Sequence, residues 1–76
     1  MDNFFNEIAL LLELDRSIVN KDLDLTKLEI VPWDSLAVVS TIAIIDEIFD
    51  ITVDGRSLSG CKKLQDVINL INSKKS

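Results

Sequence analysis

The chain has 76 residues with a formal net charge of -5, and 47% of the residues are hydrophobic. This length fits one small domain, which buries only about 60% of the surface that its unfolded chain exposes. The acidic balance excludes a general affinity for nucleic acid, because phosphates would be repelled. Charged residues interrupt every long apolar run, which excludes a membrane-spanning helix, and a single cysteine excludes an internal disulfide. The N-terminal segment lacks the basic flank and cleavage site of a signal peptide, so we expect a cytosolic chain.

The charges are unevenly distributed along the chain. Between Leu28 and Gly55 the sequence has six acidic residues and no lysine or arginine. Two interpretations of this acidic middle third stay open. It forms a surface for a basic partner, or it is the solvated helix surface that keeps a small apolar domain in solution.

The first predicted element is a helix that begins at Asp2 or Asn3 and ends near Leu14 or Arg16. A short side-chain oxygen at the start can accept a hydrogen bond from the free amides of the first turn. Apolar residues recur at helical spacing and form the expected inward face: Phe5, Ile8 and Leu11 or Leu12.

Residues 17–31 show no sustained helical period and predict a long loop. The loop is expected to be held to the core by its apolar residues: Leu23, Leu25, Leu28 and Ile30. Loops of this length without structure of their own are uncommon in compact domains and are often functional.

A second, central helix is predicted to begin at Asp34 or Ser35, because Pro32 biases the preceding Val31 to an extended backbone. Its run AVVSTIAII is rich in β-branched residues and also fits a strand, but its length and the spacing of its acids favour a helix. Helical spacing predicts an inward face made of Leu36, Val39, Ile42, Ala43, Ile45 and Phe49, with Ser40, Asp46 and Glu47 outside.

The remaining segment predicts a connection, DITVDGRSLSG, with a short helical turn around Arg56 to Ser59, and then a last helix. The last helix is expected to end near Asn72 and to point Leu64, Val67, Ile68 and Ile71 inward. Cys61 is expected to be a small apolar filler near its start, since nothing visible lowers its pKa. The predicted fold is all-α, a small four-helix bundle with three main helices and one short helix.

Ser35, at the predicted start of the central helix, is a candidate functional residue. A serine nucleophile needs a base, and the chain has no histidine or tyrosine; Lys21 and Lys27 are the nearest basic residues in sequence, but nothing places them at Ser35. Two alternatives stay open. Asp34 or Ser35 simply caps the helix, or another enzyme attaches a phosphoester to Ser35, where the positive end of the helix dipole favours it.

Asp34-Ser35-Leu36 at the head of the second helix, after a long loop and before AVVSTIAIIDEIFDITV, resembles the acyl carrier protein family. The resemblance covers essentially the whole chain, including its length, its acidic balance, its helix order and the short connection before the last helix. The three letters of the motif alone are a weak signal, but they are specific in this context.

The resemblance implies a carrier that is not itself an enzyme. Ser35 would bear 4'-phosphopantetheine, donated from coenzyme A by a magnesium-dependent phosphopantetheinyl transferase, and Asp34 would be the motif carboxylate that meets the metal of that transferase. Acyl groups would be attached to the arm as thioesters by acyl-loading enzymes and presented to acyl-transfer enzymes. The implied partner contacts are Leu36, Ala37, Ser40, Ala43, Asp46 and Glu47; for Leu36, an inward core position stays open as the alternative.

The sequence departs from the family pattern at several positions. Trp33 stands where many members have glycine, and it either packs over the loop or contacts a partner. Ala37, Ser40 and Ile48 stand where fatty-acid carriers are commonly acidic, which favours specialised lipid, polyketide or polysaccharide pathways over the housekeeping fatty-acid synthase. Lys63 replaces a Ser or Thr cap, which predicts a loose start of the last helix.

Two other functions compete with a monomeric, cytoplasmic acyl carrier. One is a carrier of aminoacyl or D-alanyl groups, since the sequence does not reveal the cargo. The other is a helical interaction module that uses its acidic surface and Leu36 to bind a basic partner without any arm. The apolar core could also admit an acyl chain, because burying a methylene contributes about 0.8 kcal/mol, but the sequence does not reveal whether it has space for one.

Overall fold

The computed structural model describes residues 1–75 and contains four α-helices and no β-strand within that range. The helices are α1 (Asp2–Leu12), α2 (Ser35–Phe49), α3 (Gly55–Ser59) and α4 (Leu64–Lys75). The predicted all-α class, with three main helices and one short helix, is therefore confirmed. Among these residues, no helix combines the length and the hydropathy needed to cross a bilayer.

The first helix starts and stops differently from the sequence-based prediction. Met1 is its N-cap and provides no side-chain hydrogen bond, so the predicted cap by Asp2 or Asn3 is wrong. The helix ends at Leu12, before the predicted end, because Glu13 adopts a left-handed backbone whose amide bonds back to the carbonyls of Ala9 and Leu10.

The predicted loop between α1 and α2 has local structure of its own. It contains two 3-10 turns, Arg16–Ile18 and Leu25–Lys27, which are capped by the carboxylates of Asp15 and Asp24. Leu25 is buried, and Leu23 and Leu28 pack against the core. Ile30 is 65% exposed, so the anchoring role predicted for it is wrong.

The central helix is confirmed as a helix, and its predicted inward face is right in part. Ile45 is buried and Ile42 and Phe49 pack against the core, as predicted. Leu36, Val39 and Ala43, which were also predicted to point inward, are exposed, and the other buried residues are Ala37, Val38 and Thr41. A helix that is apolar on nearly all sides gives no unique hydrophobic face, so spacing alone did not define the buried side. Thr41 tolerates burial because its hydroxyl donates a hydrogen bond to the Ala37 carbonyl at 2.8 Å.

The start of α4 is held firmly, in contrast to the loose start predicted from Lys63. The Asp66 carboxylate accepts hydrogen bonds from the amides of Lys62 and Lys63, at 3.0 and 3.1 Å, and so reaches back over the first turn. The loop between α1 and α2 supplies further acceptors, since the Leu64 amide donates to the Leu23 carbonyl at 3.0 Å. The helix continues to Lys75, beyond the predicted end at Asn72.

The core lies between the helices and draws on all four of them. The apolar side chains with no exposed surface come from α1, α2, α3 and α4: Phe4, Ile8, Leu12, Ile45, Leu58, Leu64, Val67 and Ile71. Both α1 and α3 pack against α2. The central helix is thereby fixed from two sides, and its N-terminal turn faces solvent.

Candidate functional site

The start of α2 is positioned by the turn that precedes it. Asp34 is the N-cap residue, with an extended backbone at φ -109° and ψ -173°. Its carboxylate accepts a hydrogen bond from the Ala37 amide at 3.1 Å, and its carbonyl accepts the Val38 amide at 2.9 Å. Of the two caps considered from the sequence, the structure selects Asp34, which leaves the Ser35 hydroxyl free of that role.

Ser35 is exposed in the first turn of α2. Within residues 1–75 its hydroxyl makes no hydrogen bond, and the backbone amides of Ser35 and Leu36 have no acceptor. Unpaired amides in the first turn of a helix face an incoming anion and carry the positive end of the helix dipole. The hydroxyl is therefore open to another molecule and sits where a phosphoester is tolerated.

Lys21 and Lys27, the nearest basic residues in sequence, form no hydrogen bond with Ser35 in the part of the chain that the structure describes. The Lys21 carbonyl accepts the Gln65 amide at 2.9 Å, which ties this part of the chain to α4, and Lys27 lies near Asp24.

Trp33 holds the segment that leads into α2 against the rest of the protein. Its indole Nε1 donates a hydrogen bond to the Leu58 carbonyl at 3.0 Å, and the half-buried ring packs against the core. This contact joins the residue before the N-cap of α2 to α3, which is 25 positions away in sequence. The packing interpretation of Trp33 is confirmed, and the turn that presents Ser35 is held by it.

The residues predicted to contact partners do not all lie at the surface. Leu36 is 74% exposed, so its inward alternative is wrong, and Ala43, Asp46 and Glu47 are exposed as well. Ser40 is partly buried. Ala37 is only 2% exposed and belongs to the core, so the surface contact predicted for it is not available.

Two exposed apolar residues next to this surface were missed by the sequence-based reasoning. Val39 is 61% exposed one turn after Ser35, and Ile30 is exposed before Pro32. The sequence contained an indication for Val39, because it lies three positions after Leu36 and therefore on the same side of the helix. Exposed apolar side chains grouped in this way are typical of binding surfaces.

The acidic middle third forms an unpaired surface. Its six acids, all exposed, are Glu29, Asp34, Asp46, Glu47, Asp50 and Asp54. Among the described residues none of them forms an ion pair; the pair that does form joins Arg16 and Asp2 at 3.7 Å, far from α2 in sequence. Unpaired carboxylates at a surface speed the encounter with a basic partner more than they add to affinity.

Cys61 has the inert character expected of it. It is buried beside the start of α4, and its thiol donates a hydrogen bond to the Ser57 carbonyl at 3.4 Å. Burial, with a smaller contribution from the negative charge of Asp66, raises the pKa of the thiol to about 11. The thiolate, which is the reactive form, is therefore scarce at neutral pH.

Comparison of the chain with protein-family models, with curated proteins and with solved structures gave no match, so the site is interpreted from its own geometry and chemistry.

Proposed function

We propose that this protein is an acyl carrier protein, with Ser35 as the attachment point of 4'-phosphopantetheine. The observation that carries the proposal is an exposed serine hydroxyl, free of partners in residues 1–75, beside a carboxylate cap at the first turn of the central helix. The Asp34-Ser35-Leu36 motif and the order of the helices resemble that family. The proposed fold type is accordingly that of an acyl carrier.

The residues at the site fit this prosthetic group. An exposed hydroxyl can accept the phosphodiester, and the two unpaired amides of the first turn lie where they favour its negative charge. Asp34 uses one carboxylate oxygen to cap α2, which leaves the other oxygen for the metal of the transferase. When bound, the arm supplies a thiol that holds acyl groups as thioesters.

The partners of the carrier are a phosphopantetheinyl transferase and the enzymes that load and unload acyl groups. The surface proposed to meet them combines exposed Leu36 and Ala43 with the carboxylates of Asp46 and Glu47. An apolar contact surrounded by acids fits a basic, partly apolar enzyme surface, and such charge pairs favour rapid association and release. This behaviour suits a shuttle that works as a cytoplasmic monomer and performs no catalysis.

The pathway is proposed from the same surface. Ala37, Ser40 and Ile48 carry no charge, so α2 offers fewer acids than the fatty-acid carriers it resembles. We place the protein in specialised lipid, polyketide or polysaccharide biosynthesis ahead of housekeeping fatty-acid biosynthesis. Mass spectrometry of the protein from its native host, which reads the thioester cargo, decides between these pathways and an aminoacyl or D-alanyl cargo.

Loading of the purified chain tests the attachment site. With coenzyme A, magnesium and a broad-specificity transferase, the wild-type protein should gain the mass of one arm, and Ser35→Ala should gain none. Ser59→Ala is the matched control, because Ser59 is also an exposed helical serine. Labelling that persists in Ser35→Ala contradicts the assignment.

A non-carrier interaction module is the second candidate, and the exposed Leu36 and Val39 favour it. Such a module would bind a basic partner through α2 with no need for the hydroxyl. Loading that fails with every transferase, together with partner binding that is unchanged in Ser35→Ala, would establish this function instead.

A further inference from the structure

Two adjoining grooves lie on the side of the bundle formed by α1 and the loop that follows it. The first, of about 310 Å³, is walled by Leu11, Val31, Pro32 and Leu36. The second, of about 340 Å³, is lined by the apolar side chains of Leu14, Ile18, Leu23 and Leu28 and by the charged residues Asp24, Lys27 and Glu29. Ile30 lines both grooves, so they adjoin at this residue, and we call the two together the loop groove.

The loop groove begins next to the proposed attachment site. Asp34 and Leu36, the two neighbours of Ser35 in the chain, both line its first part. Ser35 does not itself line the groove, but its Cα atom is only about 3.8 Å from those of these two neighbours. A group tethered to Ser35 reaches the groove without crossing the bundle.

α2 also packs against α3. A Cβ atom built at Gly55 would lie 3.6 Å from the side-chain carbons of both Ile42 and Val38, which is ordinary van der Waals contact. The core side chains between these helices include Ile45 and Leu58, neither of which has exposed surface. Inserting a chain here requires the helices to separate, whereas the loop groove is already open.

We propose that the acyl chain carried by this protein lies along the loop groove and not inside the bundle core, an inference that rests on the proposed function. Its walls include branched aliphatic side chains, among them Ile18 and Ile30, which are 50% and 65% exposed. An unbranched acyl chain removes these surfaces from water and is itself removed from water.

The test compares the reactivity of two thioesters on the same protein. The transferase loads wild-type protein from acetyl-coenzyme A or from octanoyl-coenzyme A, and hydroxylamine then cleaves each thioester. If the octanoyl chain lies in the loop groove, its thioester is held against the protein, and we expect cleavage several-fold slower than for the acetyl form. Equal rates overturn the proposal.

Two variants test whether slower cleavage of the octanoyl thioester depends on the loop groove. Ile30→Ser and Ile18→Ser change exposed side chains and should leave the fold intact, and each should bring the octanoyl rate close to the acetyl rate. Leu10→Ser is the matched control, because Leu10 is 74% exposed and lines neither part of the loop groove. Protection that persists in both isoleucine variants overturns the proposal.

Methyl NMR spectra supply a second measurement that does not depend on reactivity. Octanoyl loading should shift the signals of Ile18, Ile30 and Leu28 relative to the acetyl form. Shifts confined to Ile45 and Leu58 would put the chain in the core and overturn the groove assignment while leaving the carrier function in place. Failure of all loading at Ser35 overturns the carrier function and, with it, the groove proposal.

Discussion

The N-terminal ends of α2 and α4 use similar residues in different ways. Each has an aspartate whose carboxylate accepts backbone hydrogen bonds. Asp34, just before α2, accepts one from the Ala37 amide in the first turn, and Asp66, within the first turn of α4, accepts two from the amides of Lys62 and Lys63 just before it. At α4 the loop carbonyls of Leu23 and Lys21 take the next two amides, whereas at α2 the amides of Ser35 and Leu36 have no partner in residues 1–75. The fold therefore supplies acceptors for the backbone amides at the start of α4, whereas two amides at the start of α2 stay available to a ligand.

This difference indicates which helix start serves stability and which is available for binding. Backbone amides that already have acceptors inside the protein offer nothing to a ligand. At α4, closure joins the long loop to the last helix through an isolated β-bridge between Asp24 and Lys63. At α2, the Asp34 cap and the Trp33 hydrogen bond hold the turn without covering Ser35, which remains exposed.

The largest expected contrast is between Leu64→Ala and Leu36→Ala. Leu64 has no exposed surface in the first turn of α4, so its truncation should lower the free energy of unfolding by about 2 to 5 kcal/mol. Leu36 projects from α2, and its truncation should change that free energy by less than about 0.5 kcal/mol. Urea unfolding measures both, and equal effects would contradict the comparison.

Asp66→Ala should have the next largest effect. It removes the acceptor of two backbone amides and should lower the free energy of unfolding, by less than Leu64→Ala does. If Ser35 is the attachment point, as proposed, the rate of arm transfer to it should stay unchanged, because the start of α4 takes no part in that proposal. Normal stability in this variant would show that the start of α4 does not contribute to stability as expected. Slow loading would show that the start of α4 also affects arm transfer at α2.

The pH dependence of stability should report the same carboxylate. Hydrogen bonds from the amides of Lys62 and Lys63 lower the pKa of Asp66 below its usual 3.8 in the folded state. The folded state then binds the proton less readily than the unfolded state, so the contribution is complete above pH 3.8 and is lost as the pH falls through the lowered pKa.

Asp66→Asn isolates this contribution from those of Asp15, Asp24 and Asp54, whose pKa values are lowered chiefly by hydrogen bonds from Ser17, Thr26 and Ser57. The neutral amide can still accept a backbone hydrogen bond but does not titrate. Urea unfolding at pH values on either side of 3.8 should show a smaller acid loss in Asp66→Asn than in the wild type. An identical acid loss would exclude Asp66 as a contributor.

The helices themselves were predictable because their apolar residues recur at helical spacing, as at Leu64, Val67 and Ile71. The orientation of α2 was not, since apolar residues surround that helix and its buried side includes Thr41. The exposure of Leu36 follows from that orientation. Sequence patterns thus located Ser35 at a helix start but did not determine which neighbours share its surface.

The closure of α4 was missed for a different reason. Its acceptors include Leu23 and Lys21, about 40 positions earlier in the chain, and no local pattern encodes such a pairing. Asp66 was the available signal, because an acidic residue three positions after the N-cap reaches back to the free amides. The prediction of a loose start considered only the N-cap residue, Lys63, whereas the side chain that closes the turn is that of Asp66.

The smallest expected change in stability, and the sharpest test of the open helix start, is Asp34→Asn. Asparagine caps a helix about as well as aspartate, so the free energy of unfolding should change by only a few tenths of a kcal/mol. If the carboxylate of Asp34 meets the metal of the transferase, as proposed, arm transfer to Ser35 should nevertheless slow at least tenfold. Asp66→Asn serves as the matched control and should load at the wild-type rate. Loading of Asp34→Asn at that same rate would reduce Asp34 to a helix cap and leave Ser35 as the only residue of the motif with a role in attachment.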